Sequence, residues 1–331
     1  MTESAGDSTE EIARAAALLR AGELVAFPTE TVYGLGADAA NPQAVARIFA
    51  AKGRPADHPL IVHLPDAGHV DRWARDIPPV AHALAERFWP GPLTLILRRQ
   101  PNVIDAITGG QPTVGLRVPA HPVARQLLAA FGGGVAAPSA NRFGRISPTT
   151  ATHVREELGD RVAAILDGGP CAVGIESTIL DLSGDAPRIL RPGMIGAAAL
   201  AEVLGSTPGF AEGMDDGVPR VSGSLEAHYA PRTPLQLVAG DALPFAVRNA
   251  LVAGERIAIL ACMAPAITAD SIVWRVAPTD AAGFAHDLYA NLRVLDAAGC
   301  ARIVVQRPPL TPAWAAVQDR LRRAVKGSGA A

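Results

Sequence analysis

Cysteine and lysine are both scarce in this sequence, and each scarcity restricts the chemistry open to the protein. Three cysteines (Cys171, Cys262 and Cys300) lie far apart in 331 residues, so they form neither a disulfide framework nor a zinc cluster. Only two lysines, Lys52 and Lys326, occur among thirty basic residues. A lysine at position 52 therefore indicates a site that needs a compact ammonium rather than a planar guanidinium, the alternative being a surface lysine in a turn. Arg54, two residues further on, is expected to lie on the same extended edge.

Several catalytic and targeting signals are also missing. The sequence has no GxxxxGK[ST] loop, no HExxH helix, no CxxC pair and no GxSxG elbow, which argues against a P-loop nucleotidase, a protein-ligated metal and a serine hydrolase. No apolar segment precedes the acidic start, and no apolar run is long enough to cross a bilayer. We therefore expect a cytoplasmic protein without a membrane segment.

The composition that is present indicates a two-domain globular protein. Hydrophobic residues make up 49% of the chain and charged residues 19%, which is typical of well-packed cores, and 331 residues are long for one core. The net charge of −2 argues against a chain-wide surface for nucleic acid, although a local basic face stays open.

The pattern along the chain predicts an α/β protein in three parts. Residues 1–205 mix helical and strand-like segments without strict alternation, which predicts a twisted mixed sheet. Residues 206–234 lose this periodicity and form a predicted interdomain linker, which contains a His-Tyr-Ala-Pro motif at 228–231. Residues 235–331 alternate strand and helix, which predicts a smaller Rossmann-like α/β domain. Because that domain has no GxGxxG motif, nucleotide binding there is not supported.

The same patterns predict individual elements. Helices are expected over 9–20, from 42 onward, and over 122–131, 150–158, 242–253, 281–298 and 312–325. Strands are expected over 24–27, 60–64, 93–97, 114–118, 135–137, 163–166, 177–182, 188–190, 256–260, 272–275 and 303–306.

Two polar clusters, each set inside an apolar segment, carry most of the functional information. One is PTETVYGLG at 28–36, followed by the basic loop KGRP at 52–55; the other is APSAN at 137–141, which continues to SPT at 147–149. In both, a β-like run stops at proline, and hydroxyl residues and glycines follow. Such a pattern presents backbone donors, hydroxyls and a few cations to a polyanion at the end of a sheet.

These clusters supply the residues of a predicted phosphate site, in which cations offset charge and hydroxyl and amide groups fix shape. Its members are Lys52, Arg54, Ser139, Asn141 and Ser147. For Ser139 and Asn141 alone, ordinary turn chemistry is the competing interpretation.

A second group of polar residues lies in or beside the predicted strands. His58 and His63 flank one strand and should point to opposite faces, although either could be a structural histidine. Thr113 and Arg117 share a face of another. Arg117 needs an anionic partner, from the protein or from a ligand, and a substrate carboxylate would suit its fork.

Three further residues have both a functional and a structural interpretation. Ser177 lies in an alternating segment that is unremarkable as a strand but could face a ligand. Arg191, at the end of the next strand, could bind phosphate or could be a surface arginine. Tyr229, beside His228 in the linker motif, is either a hydrophobic anchor or part of a flap over a nucleotide.

Together the two clusters resemble the KxR…SxN signature of the YrdC-like family, whose members make threonylcarbamoyl-adenylate for the modification of adenosine in transfer RNA. The resemblance covers about residues 9–205, and the linker motif with the C-terminal α/β domain resembles the long, two-domain form. It implies a YrdC-like catalytic domain with a twisted mixed sheet and a large concave cavity. It also implies a reaction that takes L-threonine, bicarbonate and ATP to threonylcarbamoyl-AMP and pyrophosphate.

The resemblance also assigns the candidate residues. The threonine-side contacts would be Thr31, His63, Arg117, Ala137 and Ser177. The ATP-side contacts would be Lys52, Arg54, His58, Thr113, Ser139, Asn141, Ser147, Arg191 and Tyr229. Lys52 and Arg54 would act in catalysis, with Mg²⁺ held by the ATP phosphates and water rather than by a protein ligand cluster.

Two features depart from the family pattern. Phe143 stands where many relatives have a small residue. The linker has Ser-Gly-Ser-Leu-Glu at 222–226 where many relatives have proline, glycine and basic residues. The second departure weakens the idea that linker cations hold phosphate.

The expected partners are the three substrates and the downstream tRNA threonylcarbamoyl-transferase machinery, whereas direct contact with tRNA stays open. Three other functions remain in competition. A non-catalytic RNA-binding domain would need a basic concave face, and the near-neutral charge and the selective placement of Ser, Thr and Asn argue against it. A carbamoyl-transfer maturation factor of hydrogenases would need zinc-finger cysteines and an acylphosphatase module, and this sequence has neither. A ligand sensor would bind threonine or nucleotide without turning over ATP.

Overall fold

The computed structural model describes residues 9–211, 218–223, 225–265 and 267–329 of the chain. The predicted linker residues 212–217 and 224 lie outside these ranges. The α-helices are α1 (Thr9–Arg20), α2 (Pro42–Lys52), α3 (Pro79–Phe88), α4 (Asp105–Thr108), α5 (Pro122–Phe131), α6 (Ala151–Leu158), α7 (Ala197–Leu204), α8 (Leu243–Val252), α9 (Ala281–Asp296) and α10 (Ala315–Gly327).

The strands are β1 (Val25–Phe27), β2 (Gly34–Asp38), β3 (Ile61–His63), β4 (Leu93–Arg98), β5 (Thr113–Arg117), β6 (Val135–Ala136), β7 (Ala164–Ile165), β8 (Thr178–Asp181), β9 (Arg188–Arg191), β10 (Gly209–Phe210), β11 (Leu235–Val238), β12 (Ile257–Ala261), β13 (Ile272–Val276) and β14 (Arg302–Gln306). Short 3₁₀ helices cover Ala67–Arg72, Gly159–Arg161, Gly240–Ala242 and Pro312–Trp314. None of the described helices is long and apolar enough to cross a bilayer.

The chain packs as two compact units whose limits differ from the predicted domain boundaries. One unit contains Met1–Phe143 and Pro148–Ser224, and the other contains Gly144–Ser147 and Leu225–Ala331. Residues 218–223 pack with the first unit because Val221 is buried among Ile61, Ile96 and Ile179. Residues 144–147 pack with the second because Arg145 forms a β-bridge with Ala230.

The first unit is built on a ten-stranded mixed sheet, which confirms the predicted fold class. Its strand order is β10-β9-β8-β4-β5-β3-β6-β2-β1-β7, with both parallel and antiparallel neighbours. Apolar side chains of α1 and α5 pack together over β1, and a larger apolar cluster that includes residues of α2, α3 and α7 forms the main core.

Local sequence explains how α2 delivers Lys52 to the sheet. The Asn41 side chain caps the helix by accepting the N–H groups of Gln43 and Ala44, and Pro42 occupies the first turn. Gly53 ends the helix in the left-handed conformation, with φ 63°. Lys52 is therefore the last residue of a helix, and the prediction that it shares an extended edge with Arg54 is wrong.

The second unit has a four-stranded parallel sheet with the order β11-β14-β12-β13. Helix α8 packs on it through Leu243, Val247 and Ala250, while α9 and α10 pack against each other and against the sheet. This arrangement confirms the predicted Rossmann-like α/β domain and adds β11 to it.

Candidate functional site

The two polar clusters that are far apart in sequence lie side by side in the first unit. Leu35 N–H donates to the Pro138 carbonyl at 2.7 Å, and Ala140 N–H donates to the Tyr33 carbonyl at 2.8 Å. A β-bridge between Gly34 and Ser139 continues this pairing. The motif at 28–36 and the motif at 137–141 therefore form one surface.

Lys52 hydrogen-bonds to the backbone of the second cluster. Its Nζ donates to the carbonyl oxygens of Ser139 and Asn141, and its own carbonyl accepts the N–H of Phe143 at 2.9 Å. Lys52 is 4% exposed, and burial, then the charge of Arg54, holds the pKa of its ammonium well below the usual value. The compact ammonium that the sequence predicted serves here to fix the backbone of the Ser139–Asn141 segment.

Arg54 and Arg191 meet at a residue that the sequence interpretation did not select. Arg54 Nη2 donates to the Pro59 carbonyl at 2.8 Å and to Ser222 Oγ at 3.2 Å. Arg191 Nη1 donates to the Ser222 carbonyl at 2.7 Å, and Ser222 Oγ donates to Pro59 at 2.8 Å. Ser222 therefore links two arginines that the resemblance placed on the ATP side.

Arg191 also joins the predicted ATP side to the predicted threonine side. Arg191 Nη2 donates to Ser177 Oγ and its Nε donates to the Ser177 carbonyl, both at 3.1 Å. Ser177 Oγ also bonds with Thr94 Oγ1 at 2.8 Å. A predicted ATP-side residue is thus in direct contact with a predicted threonine-side residue.

Arg117 has its anionic partner within the protein. Its Nη2 donates to Glu30 Oε1 at 2.6 Å, its Nη1 to Thr31 Oγ1 at 2.9 Å, and its Nε to the Gly91 carbonyl at 3.2 Å. Thr31 is in turn held by a 2.8 Å bond to the Thr29 hydroxyl. Of the two partners that the sequence left open for Arg117, the protein supplies a carboxylate at position 30.

His63 lies beside this pair and is buried. Its ring meets Phe27 edge-on at 6.1 Å between centroids, and its Nδ1 has no hydrogen-bond partner within the described residues. Burial, then the charge of Arg117, lowers the pKa of His63 to about 3, against a smaller opposing contribution from the Ile61 backbone. His63 is therefore neutral at physiological pH and can accept a hydrogen bond.

The remaining predicted residues of the first unit are His58, Thr113 and Ala137. His58 is half-buried with its ring 5.4 Å from Phe143, and burial, then Arg54, lowers its pKa. Thr113 lines a small cleft with Ser222. The N–H of Ala137 donates to the Ile61 carbonyl at 3.0 Å, so that N–H is used within the sheet.

Ser147 and Tyr229 belong to the second unit. Tyr229 has a positive φ of 60°, which is uncommon for a bulky residue. Its ring lies 4.2 Å from that of His228 and 5.8 Å from that of Tyr289, and the Arg320 guanidinium stacks on it at 5.3 Å. Within its own unit, the linker tyrosine is firmly packed.

Asp296 fixes the two chain segments that carry Ser147 and Tyr229. Its carboxylate accepts Arg145 Nη2 at 3.2 Å, the Arg232 N–H at 3.0 Å and the Thr233 N–H at 2.8 Å. The C-terminal end of α9 therefore anchors both the 144–147 segment and residues 232–233, at the end of the linker.

Comparisons with known proteins show the family to which the chain belongs. A family model named for Sua5, YciO and YrdC, with the description "Telomere recombination", matches residues 17–193. The chain belongs to the Sua5/YciO/YrdC family. A second model, described as the C-terminal domain of threonylcarbamoyl-AMP synthase, matches residues 195–325, so the chain has the two-domain form of the family.

Relatives resemble the chain over nearly its full length. It is 39% identical to a threonylcarbamoyl-AMP synthase of Bacillus subtilis, covering 99% of this chain and 96% of that protein. It is 38% identical to a protein of the same name from Pyrococcus abyssi, covering 94% and 92%. The crystal structure of P. abyssi Sua5 complexed with L-threonine superposes with a TM-score of 0.89 and 36% identity, covering 97% of this chain and 96% of that one.

Sequence reasoning did not select Glu30 and Ser222, which hydrogen-bond to predicted site residues. Glu30 is the only acidic residue between Glu23 and Asp38, and an isolated carboxylate in such an apolar stretch could have been paired with the isolated Arg117. Ser222 carries no comparable signal, because a serine between glycine and valine in a linker is unremarkable.

The buried neutral His63 gives a prediction for stability against pH. Its folded pKa of about 3 lies below the ordinary value of 6.5, so the unfolded chain takes up the proton first as pH falls. The stability that the folded protein has from a neutral His63 is fully present above pH 6.5. It is lost progressively as the pH falls toward 3. In urea unfolding between about pH 7 and pH 4.5, His63→Gln should flatten the pH dependence relative to the native protein. The exposed His82→Gln is the control, and equal slopes in the native and His63→Gln proteins would contradict the assignment.

The close approach of β8 and the turn after β9 gives a second prediction. A Cβ at Gly193 would lie 2.4 Å from the Thr178 nitrogen and 2.8 Å from the Ser177 carbonyl carbon. Gly193→Ala should therefore force Arg191 away from Ser177, lower the free energy of unfolding by about 1–3 kcal/mol and reduce activity. Gly196→Ala is the matched control, because a Cβ there meets nothing within 4 Å. Indistinguishable melting temperatures and rates for the two variants would rule this packing out.

Proposed function

We propose that the chain is a threonylcarbamoyl-AMP synthase, which forms threonylcarbamoyl-AMP and pyrophosphate from L-threonine, bicarbonate and ATP. The observation that carries the proposal is the joining of the two motifs: Lys52 of the KxR sequence bonds to the backbone of both Ser139 and Asn141 of the SxN sequence. The near-full-length similarity to proteins of that name supports it.

In the proposed reaction the threonine amine and bicarbonate first give a carbamate and water. One carbamate oxygen then attacks the α-phosphorus of ATP in line, and pyrophosphate leaves. Because a carbamate is short-lived in water, binding in an enclosed site would protect it. No covalent enzyme nucleophile is required, since positioning and charge stabilisation suffice.

The threonine side of the site would consist of Thr31, His63, Arg117, Ala137 and Ser177. Arg117 would receive the substrate carboxylate, and the neutral His63 would accept a hydrogen bond from the amine or hydroxyl. Burial makes His63 a weak base, so its role would be orientation rather than proton removal.

The ATP side would consist of Lys52, Arg54, His58, Thr113, Ser139, Asn141, Ser147, Arg191 and Tyr229. Arg54 and Arg191 now share Ser222, so phosphate oxygens would have to replace or join that serine. Lys52 would act mainly by holding the Ser139–Asn141 backbone in the shape that receives the polyphosphate.

Mg²⁺ would enter with ATP and would be held by the phosphates and water. Among the described residues, no group of three or more His, Cys, Asp or Glu could hold a metal ion. The bound ion would offset the polyphosphate charge alongside Arg54 and Arg191. A cytoplasmic location and delivery of the product to the tRNA threonylcarbamoyl-transferase machinery belong to the same proposal.

Release of pyrophosphate tests the reaction. We expect release to require ATP, L-threonine and bicarbonate together, and to fall to background when any one is omitted. Release that is unchanged without threonine would reject the synthase. Saturable threonine binding without ATP turnover would favour the ligand sensor instead.

A further inference from the structure

The ion pair between Glu30 and Arg117 is buried at the proposed threonine side. Glu30 is 8% and Arg117 4% exposed, and their closest atoms are 2.6 Å apart. An ion pair buried this deeply is weak evidence for stability, because desolvation offsets much of the Coulomb attraction. A role in orienting one of its members is the alternative that the local geometry favours.

Both partners are held from several directions. Glu30 Oε1 accepts from Arg117 while Oε2 accepts the N–H of Ala120 at 3.0 Å, and the Glu30 carbonyl accepts the N–H of Val173 at 2.7 Å. The carboxylate therefore bridges the end of β5 and the turn before α5. It cannot swing aside without breaking two charge-assisted bonds.

Arg117 retains two N–H groups that are not used within the described residues. A guanidinium has five N–H groups, of which Arg117 uses one on Nε, one on Nη1 and one on Nη2. One N–H on each terminal nitrogen is left without a partner among the described residues. The planar group is fixed in one orientation by Gly91, Thr31 and Glu30, so the directions of these two donors are fixed as well.

We propose that Glu30 is a positioning residue for the amino-acid substrate, which holds Arg117 so that its two remaining N–H groups meet the threonine carboxylate. This inference rests on the proposed function. Because both Glu30 oxygens are already bonded to the protein, Glu30 supports Arg117 and does not occupy the substrate's place.

Binding of L-threonine measured by calorimetry tests the proposal without requiring turnover. Glu30→Gln keeps the size of the side chain, but it loses the charge and brings an amide N–H toward either Arg117 or the Ala120 N–H. We expect its Kd for threonine to rise about tenfold or more, and its KM for threonine to rise in parallel, while its KM for ATP stays unchanged. Glu30→Asp, which keeps the charge on a shorter stem, should recover part of the affinity. Glu23→Gln, at an exposed pair with Arg47, is the matched control.

A loss of threonine binding caused by unfolding must be distinguished from a loss caused by a displaced Arg117. Each variant is first melted, and binding is measured well below its melting temperature. If Glu30→Gln is too unstable, Glu30→Asp is used alone, and a normal threonine Kd in Glu30→Asp then counts against the proposal. Unchanged threonine binding in folded Glu30→Gln would overturn the inference, as would equal increases in both KM values. Tighter binding would also overturn it, and would mean that Glu30 competes with the substrate carboxylate.

Failure of the role proposed for Glu30 can be distinguished from failure of the proposed synthase reaction. If the native protein binds threonine but shows no threonine-dependent pyrophosphate release, the synthase proposal fails, while the effect of Glu30→Gln on threonine binding still decides the role of Glu30. If the native protein turns over and Glu30→Gln matches it, the synthase stands and only the positioning role fails.

Discussion

Lys52→Ala is expected to remove about 2–4 kcal/mol of transition-state stabilisation, measured as the fall in kcat/KM for pyrophosphate release. The loss follows because the variant has nothing to fasten the carbonyl groups of Ser139 and Asn141, so the ATP-side loop loses its shape. Lys52→Arg should be nearly as damaging, since a planar guanidinium does not replace a compact ammonium enclosed between two carbonyls.

Lys326→Ala is the control for Lys52. Lys326 pairs at the surface with Glu226 at 3.0 Å, and the two side chains are 60% and 82% exposed, so its removal should leave the rate nearly unchanged. Melting curves show whether Lys52→Ala is folded. Equal rates for folded Lys52→Ala and Lys326→Ala would refute the role assigned to Lys52.

Arg117→Gln is expected to have the second large effect, on both stability and threonine binding. It leaves the buried carboxylate of Glu30 without its cation, which typically costs about 3–5 kcal/mol of unfolding free energy. It also removes the fork proposed to bind the substrate carboxylate. Chemical unfolding and threonine titration measure the two losses separately.

Two further variants make the Arg117 prediction decisive. In Glu30→Gln combined with Arg117→Gln, no buried charge is left unpaired, so much of the stability should return while threonine binding stays lost. Arg98→Gln is the control: the Arg98 guanidinium and the Asp76 carboxylate are exposed and 4.0 Å apart. This substitution should change the free energy of unfolding by less than about 1 kcal/mol. Recovery of threonine binding in the double variant would contradict the assignment of Arg117.

The sequence predicted elements best where local chemistry and packing agree. Helix α5 coincides with its predicted range, because Pro122 begins it and Gly132 ends it with φ 79°. Strand β2 was missed, since its sequence, Gly-Leu-Gly-Ala-Asp, has little strand propensity. Its glycines are explained by neighbouring strands: a Cβ at Gly36 would lie 2.8 Å from the Phe27 ring of β1 and 3.0 Å from the Val135 side chain of β6.

Helices α3 and α7 were missed for a different reason. Both carry apolar residues that are partly covered by each other and by the sheet, so their packing is set by distant parts of the chain. The limits of the two units depend in the same way on long-range contacts: Val221 is buried on the first sheet and Arg145 bridges to Ala230. Neither contact has a signal in the local sequence.

Motif spacing predicted which residues could form a site, but it did not predict their partners. It selected Lys52 and the Ser139–Asn141 segment, whereas the bonds from Nζ to two backbone carbonyls follow only from the end of α2 meeting that segment. The position of Arg117 in a predicted strand indicated that it needs an anionic partner. The sequence could not show whether the substrate or the protein supplies that anion. The roles of the individual residues toward threonine and ATP remain predictions.

Isotope incorporation tests the central proposal most directly. The native protein is incubated with ATP, L-threonine and ¹³C-bicarbonate, and the nucleotide products are analysed at once by mass spectrometry. We expect an AMP adduct that contains threonine and one bicarbonate-derived carbon, formed in equal amount with pyrophosphate. An adenylate of threonine without the labelled carbon, or pyrophosphate released without any such adduct, would contradict the proposed reaction.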